Sequence, residues 1–246
     1  MRETAEGPGF SGQEIGSIFE YPEYRSVPMY REYNNEDIPP VDRKEALRYA
    51  GIPAVVLRKT FHDELKQGEA LEEEDEYAEL IGLLDETIAR TEGHLTFRVS
   101  YLYAPVLWDG ADRPILPFPQ ESRAIARNLS GCRGVILFAA TIGAGIDRLI
   151  RRYERTEPAC GALLQAIGAE RAEALCDVFN HEIRTKAEEH GFSTRPRFSP
   201  GFADLPLSAQ PEILALTDAG RKLGITLNAS LLMAPSKSVT GLIGIG

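Results

Sequence analysis

From Pro158 to about His190 apolar residues recur at helical spacing, and no other stretch limits the fold as strongly. Leu164, Ile167, Leu175, Val178, Phe179 and Ile183 fall on that spacing, and Pro158 suits the first turn. Gly168 is expected to interrupt the helix. Two elements lead into it: the apolar strand GVILFAATI (134–142), then a helix from Ile146 to Thr156. A long helix and an apolar strand side by side suggest strand–helix alternation, but the rest of the chain does not continue it.

Residues 1–40 are rich in Gly, Pro, Tyr and charge and read as an extended lead-in, with one domain expected over 41–246. Asp42 caps a short helix, DRKEALRYA, that stops at Gly51. Ile52 to Phe61 is expected to be a strand. Glu69 to Thr91 reads as a helix with Leu80, Leu83, Leu84 and Ile88 on one face and Gly93 ending it. The period then changes. HLTFRVSYLYAPVLW alternates around Leu95, Phe97, Val99 and Tyr101, as in a half-buried strand. WDGADRPILPFP is turn chemistry, and ESRAIARNL is a short helix ending at Ser130 and Gly131. Pro211 starts a helix closing at Gly224, and TLNASLLMAP and KSVTGLIGI read as two adjacent strands. Irregular succession of this kind points to α+β rather than a doubly wound α/β fold.

The chain has 246 residues, enough for one large domain or two small ones with a real core. It contains no run near the roughly 20 apolar residues of a membrane helix, and the N-terminus lacks a secretory signal. A cytoplasmic protein is expected. A formal net charge of -10 argues against nucleic-acid binding, which draws its affinity from Lys and Arg on phosphates. Cys132, Cys160 and Cys176 stand far apart and read as reduced thiols. His62, His94, His181 and His190 show no metal-ligand spacing, so no metal is expected.

Two motifs invite ligands. Gly143-Ala144-Gly145 follows a strand and precedes a helix, but Arg148 stands where a dinucleotide fingerprint needs its third glycine, and the pair reads as a tight turn. Arg197-Phe198-Ser199-Pro200-Gly201-Phe202 is more informative. Its guanidinium makes a good carboxylate fork beside a Pro-stiffened loop. Gly201 permits close backbone approach, and Phe202 offers an aromatic face to a ring or a sulfonium cation. A ligand with a carboxylate, a flat base and a cationic centre suits this set; a rigid surface turn with Phe202 in the core is the plainer alternative.

RFSPGF resembles the RxxxGY motif of the activation domain of cobalamin-dependent methionine synthase. ATIGAGIDR, IGAERAEALCDVFNHEIR and SLLMAPSKSVTGL resemble the same family in the same order. The resemblance implies a C-shaped α+β domain with a curved, mostly antiparallel sheet and flanking helices. It implies binding of S-adenosylmethionine (SAM), with Arg197 at the carboxylate end and the backbone of Ser199 and Pro200 facing the ligand. Gly201 matches the motif glycine, Phe202 replaces the motif tyrosine, and Glu173 matches a glutamate near SAM. The family also uses an aspartate nearer the N-terminus, for which Asp42 is a candidate. No DxHxxG pattern is present, so cobalamin is expected on a partner, a corrinoid-binding methionine synthase subunit. A one-electron donor such as flavodoxin reduces the cobalt, and Co(I) then takes the SAM methyl. The chain is therefore expected to be a compact, stand-alone reactivation subunit: a methyltransferase component with no catalytic side chain and no activity alone. The competing expectation is a docking module for a corrinoid protein, or a reactivator of another corrinoid methyltransferase, that does not bind SAM.

Overall fold

The computed structural model describes residues 27–54, 56–57 and 73–246. Its elements are β1 (Met29–Tyr33), α1 (Arg43–Tyr49), α2 (Glu73–Ala89), β2 (Phe97–Pro105), β3 (Leu107–Trp108), β4 (Pro114–Ile115), α3 (Arg123–Asn128), β5 (Gly134–Thr141), α4 (Gly145–Thr156), α5 (Pro158–Glu189), α6 (Gln210–Leu216), α7 (Ala219–Leu223), β6 (Thr226–Leu227), β7 (Met233–Ala234) and β8 (Ser238–Ile245). The main sheet has the order β1-β2-β5-β8, and every pairing in it is antiparallel. This is the expected α+β class.

Burial explains the layering. All eight residues of β5 are buried, because helices cover both faces of the sheet. On one face Tyr101, Ile136, Phe138 and Ile243 pack against Leu164, Leu175, Phe179 and Ile183 of α5 and Ile146 and Ile150 of α4. The Phe179 ring sits 5.3 Å from both Tyr101 and Phe138. On the other face Ala104, Val135, Leu137 and Leu242 meet Ile125, Leu205 and Ile213. A smaller cluster of Ala46, Leu47, Leu84, Leu163 and Ile167 fastens α1 and α2 to the start of α5. Among the described residues no helix is long and apolar enough to cross a membrane.

Several expectations change. α5 runs unbroken through Gly168. A single glycine costs a helix only about 1 kcal/mol, and a Cβ there would stand 3.0 Å from Lys237 Cε and 3.1 Å from Ile146 Cγ1. β2 is not half-buried: six of its residues in succession, Val99 to Ala104, are covered. Ser100, which reads as a solvent position, donates to the carbonyls of Met29 and Thr217. The helix expected from Pro211 to Gly224 is two, broken at Asp218, where φ is 54°. The two C-terminal strands do not pair. Thr226–Leu227 and Met233–Ala234 form their own hairpin, closed by Asn228, whose side chain accepts from the N–H groups of Ser230 and Leu232. β8 pairs along its whole length with β5. The strand expected over 52–61 is absent where it can be seen, since Ile52 and Pro53 are irregular and Ala54, Val56 and Leu57 are helical; residues 55 and 58–61 lie outside the described residues. So do Glu69–Glu72 of the expected acidic helix start and residues 1–26 of the lead-in, within which Met29–Tyr33 pairs with β2. The Gly143–Gly145 pair is a strand-to-helix turn, with the Gly143 N–H donating to Thr141 Oγ1 at 3.1 Å. The three cysteines are buried and free.

Candidate functional site

One helical stretch of α5 organises the surface beside α1. Arg171 and Glu170 form a buried two-point ion pair, Nε to Oε2 at 2.6 Å and Nη2 to Oε1 at 2.6 Å. Arg171 also donates to the carbonyls of Pro39 and Pro40, and Glu170 accepts from the Asp42 N–H at 3.1 Å. Beyond the bonds within the pair, its polar groups meet the segment entering α1. Asp42 then caps α1 by accepting from the Glu45 N–H at 3.0 Å. The clamp holds α1 alongside α5 and leaves a groove of about 650 Å³ between them, lined by Asp42, Glu45, Tyr49, Glu173, Asp177 and His181 among others.

Arg197 does not itself line this groove but meets two residues that do, Glu173 and Asp177. The segment before it runs along the free edge of β8, with Arg195 N–H donating to Gly244 O at 2.9 Å and Phe198 N–H to Leu242 O at 3.0 Å. Those bonds fix the backbone on both sides of Arg197. Its guanidinium lies 2.5 Å from Glu173 and 3.9 Å from Asp177, two carboxylates one turn apart on α5. The Arg197 side chain is 21% exposed, and its Nη1 is buried without a hydrogen-bond partner. Beneath the pair, burial pushes the Cys176 thiol up to about 12, so it stays protonated at neutral pH.

The remaining motif residues form a rigid turn. Phe202 N–H donates to Ser199 O at 3.1 Å across Pro200 and Gly201, and Gly201 has φ 86°. Pro followed by a left-handed Gly is what a type II turn requires. Gly201 N–H donates to Leu205 O at 2.8 Å. Asp204 ties the turn to the start of α3, accepting from the N–H groups of Arg123 and Ala124 and from the Ser122 hydroxyl. Phe202 is 65% exposed rather than in the core, with its ring edge-on to Phe198 at 5.3 Å.

The structure thus brings Arg197 and Glu173 together and places Glu173 and Asp42 on the groove wall. Arg197, Ser199, Pro200, Gly201 and Phe202 stand outside its lining. Sequence reasoning missed Tyr49, Asp177 and the Glu170–Arg171 clamp. Asp177 had a signal, because a residue four after Glu173 shares its helix face. Nothing local linked Tyr49 to α5. A second hollow of about 550 Å³, between β4 and α3, contains none of the expected site residues. Among the described residues no cluster of His, Cys, Asp and Glu is arranged to hold a metal.

Comparison with known proteins bears on the family and the fold. Residues 124–245 match the family model described as vitamin B12 dependent methionine synthase, activation domain. Among solved structures, the crystal structure of the MetH reactivation domain bound to AdoHcy is similar, with a TM-score of 0.61 at 15% sequence identity. The match covers 90% of this chain and 79% of that one. At this identity the likeness concerns the fold. No curated protein matches the sequence.

Proposed function

Residues 124–245 are an activation domain of the vitamin B12 dependent methionine synthase family, and from that premise we propose that the α1–α5 groove binds SAM for methylation of a corrinoid held by a partner protein. The observation that carries the reading is Arg197: a guanidinium held against Glu173 and Asp177, two residues of the groove lining. In this reading Arg197 receives the SAM carboxylate, and Glu173 accepts from the α-ammonium group. Tyr49, 40% exposed on the facing wall, offers its ring to the base. The Ser199–Phe202 turn serves to hold Arg197 in place.

The chain's contribution is binding and orientation. Fixing a methyl donor in line with its acceptor removes translational and rotational freedom before the reaction. The partner's corrinoid supplies the nucleophile, and a one-electron donor, flavodoxin or another reductant, keeps it reduced. With a net charge of -10 the chain has no general attraction for an acidic reductase, so docking must use local surface.

A second reading, a docking module that does not bind SAM, draws support from one contact: the Arg197 guanidinium is already engaged by Glu173. Calorimetric titration with SAM separates the two. The proposal expects saturable binding by this chain alone, no methyl transfer alone, and methyl transfer when a reduced corrinoid protein is added. Absence of SAM binding, with a corrinoid protein still retained on the immobilised chain, would leave the docking module as the function.

A further inference from the structure

We infer that the outer face of α4 is a docking surface for a carboxylate-rich region of a partner protein. The inference goes beyond the proposed function and does not depend on SAM binding.

An exposed arginine on a helix is ordinary by itself, because arginine is a good helix former. α4 differs in placement and in pairing. Arg148, Arg151, Arg152 and Arg155 are all exposed. With about 3.6 residues per turn they fall within an arc of roughly 100°, in a stripe about 10 Å long. The buried residues Ile146, Leu149 and Ile150 occupy the opposite arc. This stripe stands on a chain whose net charge is -10.

Other exposed arginines, Arg43, Arg48, Arg113 and Arg221, each hold a carboxylate. Among the described residues none of the four on α4 does, and Arg152 only stacks on the Tyr153 ring at 5.4 Å. The nearby acids are committed elsewhere. Asp147 accepts from the Ser236 N–H at 3.1 Å and from its hydroxyl, Glu154 accepts from Gln165 Nε2 at 3.2 Å, and Glu157 takes Arg90 at 2.6 Å. An acid four residues before a base is the favourable order for a helix pair, yet Asp147 is turned to Ser236 rather than to Arg151.

Guanidinium forks fit carboxylates and phosphates alike. The charge of the whole chain separates the two: a polyphosphate meets long-range repulsion from the acidic surface around the stripe, whereas a protein can present a local acidic region. The position of α4 suits a second partner. Gly161 and Gly168 of α5 meet α4, while Asp177 and His181 line the groove. At about 3.6 residues per turn these two sets point to roughly opposite sides of α5, so a protein held on α4 leaves the groove open.

The test measures binding of a synthetic helical peptide with glutamates at i and i+4 to the full chain at low salt, by calorimetry. The variant is Arg148→Gln/Arg151→Gln/Arg155→Gln. The control, Arg113→Gln/Arg123→Gln/Arg127→Gln, removes the same charge from exposed positions around α3, which packs on the other face of the sheet. The peptide should bind the α4 variant about tenfold more weakly than the parent and the control about as tightly as the parent. Both variants should unfold in urea like the parent, since the substituted side chains are exposed. Equal affinity in the α4 variant, an equal loss in the control, or no binding by the parent overturns the inference. Tighter binding of duplex DNA than of the peptide also overturns it, by assigning the stripe to phosphates. SAM affinity should be the same in all three proteins, so a failure to bind SAM speaks only to the groove.

Discussion

Two arginine–glutamate pairs lie within one turn of each other along α5, and they are built differently. Glu170–Arg171 is buried, with side chains 6–7% exposed, and its groups meet each other, two backbone carbonyls and a backbone N–H. Glu173–Arg197 is partly exposed: Glu173 lines the groove, Arg197 Nη1 is buried with no acceptor among the described residues, and a second carboxylate stands 3.9 Å away. The first pair is complete and holds α1 to α5. The second is incomplete, and an incomplete set of charged groups at a cavity is what a charged ligand can finish. Satisfaction of polar valences, more than the identity of the residues, separates the structural pair from the binding pair.

The sharpest way to break this comparison is Arg171→Ala. It strands a buried carboxylate and frees the Pro39–Asp42 segment, so stability should fall by about 3–5 kcal/mol in urea unfolding. A loss below 1 kcal/mol would mean that the buried pair is not the clamp. Next comes Arg197→Ala, where the contrast is in kind. Unfolding stability should change by less than about 1 kcal/mol because the pair is partly solvated. SAM affinity should drop by about 1.5–3 kcal/mol from the lost charged hydrogen bonds; equal calorimetric affinity in parent and variant would take Arg197 out of the site. Salt gives the smallest effect. Between low and roughly 0.5 M ionic strength, SAM binding should weaken several-fold because the groove charges are screened, while unfolding stability at the buried clamp should barely respond. A salt-independent affinity would show that the groove charges do not contact the ligand.

Much of the fold was legible because burial is patterned locally. α5, β5, β8 and the Asp42 cap lie within a few residues of where periodicity and turn chemistry put them. The Ser-Pro-Gly-Phe turn was equally readable, since Pro and Gly set their own backbone angles. Two of the misses share one cause. β2 reads as half-exposed because Ser100 and Arg98 are polar, yet Ser100 is buried and bonded to carbonyls at residues 29 and 217. β8 was set beside the wrong partner because a strand's pattern tells which face is apolar and not which edge it meets.

The candidate site divides the same way. RFSPGF marked Arg197, and the α5 sequence marked Glu173, but their meeting joins residues 24 apart across a helix and a loop. Tyr49 enters only because α1 lies on α5, which depends on a clamp between residues 39–42 and 170–171.

Residue order alone determined where most chain segments are helical, extended or turned, since those preferences come from side-chain shape and from spacing along a few residues. Tertiary structure decided which strands share an edge, which carboxylates surround the guanidinium of Arg197 and where a groove remains. The reason is physical: apolar burial is non-directional and can be satisfied by many partners, whereas an ion pair or hydrogen bond acts between particular atoms at a short distance, and that distance exists only once distant parts of the chain have come together.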